Sequence, residues 1–458
     1  MDKNESLLKG NITGALVKFA VPIMLANILQ LLYSATDMFV VGKFASTADV
    51  SGVTTGSIVM VTLTYVIVAF TNSVTVMLGR YAGAKKIDDM SKTVGTAIIF
   101  FIALAVVLTA LMVIFSRGIV KLMDAPPEAV DATLKYLVIC SSGLIFITGY
   151  NLAGSILRGI GDSKTPLIFV AVACVINIIV DIILVCFFHM GAAGAAYATV
   201  GSQAGSLIFS IIYLHRKGLG FPFRGSHIRW HADHGRELIK LGTPLALQEF
   251  LVNLSFMIIT MLINGMGVSA SAASGIVEKI GSFACRPTAA FAAAVSAMAA
   301  NNIGAGYHDR ARKCMWTGIG ICVIWTVIFY TFSYFHGDLL VRIFSNDPDV
   351  ASHGVLYMRS YYTDLIIISA VFIMNGYFTA YGHTVFSMAH SLIATFLIRV
   401  PFSFIFSRMA GATLFHMGIP APFSSLLSLI LCLFFLRYHS RRLAAGLENT
   451  LPGTGDEQ

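Results

Sequence analysis

Apolar windows long enough to cross a bilayer recur about twelve times along these 458 residues, where one spanning helix needs about 20 such residues. Bounded by glycine, proline and charge, they fall at 15–41, 54–79, 93–116, 134–157, 166–188, 193–214, 238–264, 272–299, 314–335, 355–379, 386–407 and 413–436. Charged residues make up 12% of the chain, against about 25% in soluble domains, and mean hydropathy is +0.79. The pattern predicts an all-α, multi-pass membrane protein. No short basic segment with a small-residue cleavage site precedes the first window, so that span is expected to be retained.

An even number of spans puts both termini on one side, and the basic residues choose which. The net charge is +8. Segments on the side of the termini, among them Lys3, Lys85, Lys86, Arg216, Arg310 and Arg441, hold nearly three times as many Lys and Arg as the opposite loops. Basic residues collect in cytoplasmic loops, so both termini are expected in the cytoplasm and the protein in the cell (inner) membrane. The charge therefore does not argue for a nucleic-acid partner. The seven cysteines show no CxxC or Cys/His spacing and are read as small buried hydrophobes, with neither disulfide nor metal expected.

The chain repeats itself. LVKFAVPIML (16–25) resembles LIKLGTPLAL (238–247), and AGAKKIDDMSK (82–92) resembles IGAGYHDRARK (303–313). Pro22 pairs with Pro244, Gly83 with Gly304, Asp88 with Asp309, Tyr136 with Tyr357 and Gly161 with Gly382, at offsets of 222 for the prolines and 221 for the rest. A fixed offset over several segments implies a duplicated six-helix unit, and six spans give both halves the same orientation. The expected organisation is an N-terminal six-helix bundle (1–214), a cytoplasmic linker (215–237), a C-terminal six-helix bundle (238–440) and a cytoplasmic tail (441–458), with the two bundles around a central cleft. The basic, aromatic linker HRKGLGFPFRGSHIRWHADHGRE suits two placements, on the membrane surface or as a solvated connection.

Polar residues inside the spans carry the functional argument. In the first span Gln30, Tyr33 and Asp37 follow i, i+3, i+7 spacing and share one helix face, two to four turns after Pro22. In the fifth, Asn177 stands one turn before Asp181. Tyr136 opens the fourth span, Asn151 lies near its middle, and Thr199 opens the sixth. At about 1.5 Å per residue, Asp37, Asp181, Tyr136 and Thr199 reach similar heights in the outer half of the N-terminal bundle. An ionised Asp at the bilayer centre costs about 2.5–3.5 kcal/mol, more than a span needs to bear. Carboxylates, phenol, amide and hydroxyl at one depth could share a proton or hold a small cation. Tyr, Thr and Asn also serve as hydrogen-bond glue between helices, and Pro22 also reads as a tolerated kink.

These residues resemble the multidrug and toxic compound extrusion (MATE) family across nearly the whole chain. The resemblance rests on the six-plus-six repeat, Pro22 followed by Asp37, Asn177 with Asp181, Thr199 eighteen residues later, and the LRGIGDSKTP loop at 157–166. It is greatest to the DinF-like branch. It implies the V-shaped fold of the larger MOP group, an N-lobe cavity where Asp37, Asp181, Asn177 and Thr199 couple to H⁺ or Na⁺, and a first helix that kinks at Pro22. Gln30, Tyr33, Tyr136 and Asn151 match positions lining that cavity. The NorM-type branch carries acids in the seventh and tenth spans, and Glu249 and Asp364 stand about one turn from those positions. They are carried as cleft-lining residues that would attract cationic substrate. Glu278, Lys279, Arg286 and Arg399 are read as internal ion pairs, and His383 and His390 as interfacial.

The function expected is secondary-active export of lipophilic, mostly cationic organic compounds in exchange for H⁺ or Na⁺. No cofactor and no protein partner are expected, and a monomer is. A flippase for lipid-linked precursors of the same superfamily is the alternative, but its pyrophosphate needs a basic cavity. A membrane enzyme would need clustered carboxylates for Mg²⁺, and the loop pair Asp88–Asp89 has no second acidic cluster to partner it. No G-x-x-x-x-G-K-[ST] loop occurs to bind ATP.

Overall fold

The computed structural model describes residues 7–446; Lys3 and tail residues 447–458 lie outside the described residues. Every regular element among those described is helical. The first half comprises α1 (Ile12–Phe44), α2 (Thr47–Gly83), α3 (Ile87–Leu122), α4 (Val130–Ser142), α5 (Leu144–Gly159), α6 (Lys164–Asp181) and α7 (Gly191–Lys217). The second comprises α8 (Ala232–Asn264), α9 (Val268–Gly304), α10 (His308–Arg342), α11 (Pro348–Tyr361), α12 (Thr363–Tyr381), α13 (Thr384–Ala394), α14 (Val400–Ser407), α15 (Leu414–Gly418) and α16 (Pro420–Ala444). Among the described residues, eleven helical stretches are long and apolar enough to cross a membrane, with α13 and α14 forming one and α15 and α16 another, and twelve spans result when α4 and α5, bent by 49° at Gly143, count as one.

The duplication is written into the backbone. α1 and α8 have 33 residues each, α2 and α9 have 37, and α3 and α10 have 36 and 35. Gly161 and Gly382 both turn the chain with left-handed φ, +88° and +85°, a conformation that glycine adopts without strain. Pro22 and Pro244 lie inside α1 and α8, each of which continues through its proline.

Caps fix where the long helices begin. Asn11 accepts the Thr13 amide at 3.0 Å ahead of α1. Ser46 and Asp49 form a reciprocal box at the start of α2, a device worth about 1 kcal/mol. Asp49 also accepts the Ala192 amide at 3.0 Å, which ties the start of α2 to the start of α7. Large apolar side chains such as Ile114, Phe115 and Val268 stay exposed. That surface suits lipid rather than water.

Among the described residues two compact units emerge, one of residues 7–8 and 18–246 and the other of 247–446 together with 9–17. The division falls inside α8, after the 215–237 linker. Specific bonds explain it. Glu237 near the start of α8 takes a 3.2 Å ion pair from Arg80 and a 3.0 Å hydrogen bond from the Tyr81 hydroxyl, both at the end of α2. In the other unit, Arg310 of α10 donates to the carbonyls of Lys9 and Gly10 at 3.0 and 2.9 Å.

The linker is held against its own unit. It is docked on the first turns of α3. The Ser91 hydroxyl donates to the Pro222 carbonyl at 2.8 Å, and the His231 amide donates to Thr96 Oγ1 at 3.3 Å. Leu219, Phe221 and Phe223 pack against the buried core of the first unit. Gly95 makes this approach possible, because a Cβ there would run into the His227 carbonyl. Gly95→Val should therefore lift the linker. Limited trypsin digestion in detergent should cut at Arg224 and Arg229 faster in the variant, whereas equal rates would contradict the docking.

Candidate functional site

Asp37 and Asp181 reach the same point from different helices. Asp37 sits on α1 at 8% exposure, and Asp181 ends α6 at 0%. Their carboxylates interact with each other. Immediately after Asp181 the chain passes into a π turn, Ile182–Phe187, a local widening common at functional sites. Neither acid has an ion-pair partner among the described residues.

The surroundings leave these groups unsatisfied. Asp37 Oδ1, both Asp181 carboxylate oxygens and both side-chain polar atoms of Asn177 are buried without a hydrogen-bond partner. Such atoms cost about 1–3 kcal/mol each. Asn177 is itself fully buried, one turn before Asp181 on α6. A donor set of carboxylate and amide oxygens suits a hard cation, and a carboxylate pair equally suits a shared proton.

Phenols and amides ring the pair. Tyr33, one turn before Asp37, lies within electrostatic reach of it and approaches Gln203 on α7. Buried Tyr136 on α4 also reaches Asp37, and its hydroxyl accepts a 3.2 Å hydrogen bond from Ser57 on α2. Gln30 Nε2 donates to Tyr150 on α5 at 3.5 Å. The cluster thus draws on α1, α2, α4, α5, α6 and α7.

Other expected members stand differently. Asn151 spends its amide on the Ile147 carbonyl of its own helix at 2.8 Å. Thr199 is half-buried, and its hydroxyl forms no hydrogen bond among the described residues. Pro22 is buried within α1, two turns ahead of Gln30. Gln203, Tyr150 and Cys140, which neighbours Tyr136, join the cluster without having been singled out from the sequence. Gln203 had a readable signal: it stands four residues after Thr199, on the same helical face.

In the second unit Glu249 is exposed on α8, while Asp364 on α12 is buried. Asp364 Oδ1 has no hydrogen-bond partner, and the carboxyl lies near Ser425 and within reach of Arg399. The Arg399 guanidinium sits over the Phe256 ring at 4.1 Å and within reach of Glu278. His383 meets His439 at 3.3 Å. His390, expected at an interface, is instead buried at 1% exposure with Nε2 on Asn375 Oδ1 at 2.8 Å.

A family model described as MatE matches residues 22–183 and again 244–405, one match per half and well over half of the chain together. The probable multidrug resistance protein YpnP of Bacillus subtilis is 28% identical over 91% of this chain and 93% of its own length. The probable multidrug resistance protein NorM of Thermotoga maritima is 24% identical over 85% of this chain and 84% of its own. A solved structure of MATE in the bent conformation superposes with a TM-score of 0.91 at 18% identity, covering 98% of this chain and 99% of that one. That likeness bears on the fold.

Two facing carboxylates with no counter-ion are a burden on stability, whereas a structural pair would support it. Asp37→Asn or Asp181→Asn should leave the thermal midpoint in detergent unchanged or raise stability by about 1 kcal/mol. A fall of that size in either variant would mark the two acids as a structural pair instead.

Proposed function

The chain belongs to the MatE family, and from that premise we propose that it is a multidrug efflux antiporter that exchanges H⁺ or Na⁺ for lipophilic, mostly cationic organic compounds. The observation that carries this reading is the meeting of Asp37 and Asp181, buried and without a counter-ion. A membrane interior penalises each anion, and a like charge beside it adds to the penalty. A proton or a sodium ion relieves both at once. Asn177 stands within one turn of the pair to add an oxygen ligand, and Thr199 opens the neighbouring α7.

Occupancy of that point then controls the rest of the bundle. Neutralising the pair removes the charge that a cationic drug would seek, so ion and drug compete or are linked, and the linkage is reciprocal. α1 carries both the acid and Pro22, where a missing backbone hydrogen bond makes bending easiest. Loading Asp37 would reshape α1 there and release substrate on the far side by alternating access. Tyr33, Tyr136, Gln30 and Tyr150 supply aromatic faces and hydrogen-bond groups for cationic ligands of varied shape. Glu249 and Asp364 would add negative potential for such cargo. The acidic cluster speaks against a pyrophosphate-carrying flippase, whose ligand would be repelled. The antiporter works as a monomer in the cell membrane with both termini cytoplasmic, driven by an ion gradient rather than by ATP and performing no covalent chemistry.

Asp37→Asn and Asp181→Asn should each abolish the drug resistance that the protein confers on a sensitive host, at unchanged membrane expression. The double variant should be little worse than either single, because both acids serve one site. Full residual resistance in either single variant would end the coupling claim, and strictly additive losses would separate the acids into two sites.

A further inference from the structure

In the second unit, the start of α10 passes the end of α16 and leaves a pocket of about 340 Å³. Arg312 of α10 and Arg437 and Arg441 of α16 line it, with Ser440 beside them and Leu433, Leu436 and Ala444 as an apolar wall. None of the three arginines has an ion-pair partner among the described residues. Their neighbours are engaged: Arg310 holds the Lys9 and Gly10 carbonyls, and Arg442 donates to the Tyr438 hydroxyl at 3.2 Å. Three positive side chains lining one hollow repel each other unless an anion joins them.

The wall says which anion. Leu433 is exposed, and so are Ile430 and Phe434 beside it on α16, so the apolar side of the pocket runs onto surface suited to lipid. Residues 420–436 carry no charge, and Arg437 ends that stretch, which sets the pocket at the level where a spanning helix leaves the hydrocarbon. We infer that this pocket holds the phosphate of an anionic phospholipid, with the arginines on its oxygens and an acyl chain along Leu433 and Leu436. Guanidinium forks match phosphate oxygens in pairs, and basic pockets between helices at a membrane face gather acidic headgroups. The volume suits a glycerophosphate group. Its place in the cytoplasmic leaflet follows from the orientation proposed above, but the headgroup site stands or falls independently of ion exchange.

Native mass spectrometry of the full chain, released from detergent with equal amounts of phosphatidylglycerol and phosphatidylcholine of matched acyl chains, tests the assignment. The wild type should retain phosphatidylglycerol in preference. Arg437→Gln should lower that retention about fivefold, and Arg312→Gln with Arg437→Gln and Arg441→Gln should erase the preference while phosphatidylcholine adducts stay unchanged. Arg437→Lys, which keeps the charge and loses the fork, should retain more phosphatidylglycerol than Arg437→Gln and less than the wild type, and retention at or below that of Arg437→Gln would overturn the assignment. So would equal retention in wild type and triple variant, or no preference in the wild type. Displacement of phosphatidylglycerol by an equal concentration of inorganic phosphate would also overturn it, in favour of a soluble ligand.

Discussion

Two carboxylates facing each other in the interior of a membrane-spanning bundle are the constraint that the N-terminal half is built around. Apolar residues would fill that point at lower energy. Keeping Asp37 and Asp181 there demands helices that hold them together, hence the caps and bonds at the ends of α2 and α7 and the ring of phenols and amides from six helices. The same constraint explains why Asn177 is buried with both polar atoms unpartnered.

The duplication copied the scaffold and not the acids. At the repeat offset of 221, Asp37 and Asp181 fall on Ile258 and Phe402. Helix lengths, the glycine turns at 161 and 382 and the prolines of α1 and α8 survive in both halves. The C-terminal half instead places a guanidinium, Arg399, within reach of Asp364 and Glu278. Asp364 and Glu278 therefore already have an internal cation nearby, and Asp37 and Asp181 do not. The two halves share a shape and differ in chemistry.

Much of this was legible because hydropathy and burial cost act locally. Windows of apolar residues marked the spans, and the repeat marked the halves. Asp37 and Asp181 declared themselves because no bland role offsets an intramembrane acid. What escaped depends on contacts distant in sequence or on a side chain's choice among near neighbours. The break at Gly143 leaves hydropathy uninterrupted, so α4 and α5 read as one helix. Docking of 215–237 depends on Gly95, more than a hundred residues away, admitting a backbone carbonyl. Asn151 spends its amide N–H on its own helix, because the carbonyl one turn back is always within reach. Tyr150 joined the cluster through a partner, Gln30, that no spacing rule connects.

The central claim is that an ion at Asp37 and Asp181 is exchanged for an organic substrate. The most direct measurement is dye efflux from proteoliposomes containing the purified chain, with pH and sodium gradients imposed one at a time. An inward-directed gradient of one of these ions should drive efflux in the wild type and fail to do so in Asp37→Asn. Efflux indifferent to both gradients, or driven equally well in Asp37→Asn, would contradict the account.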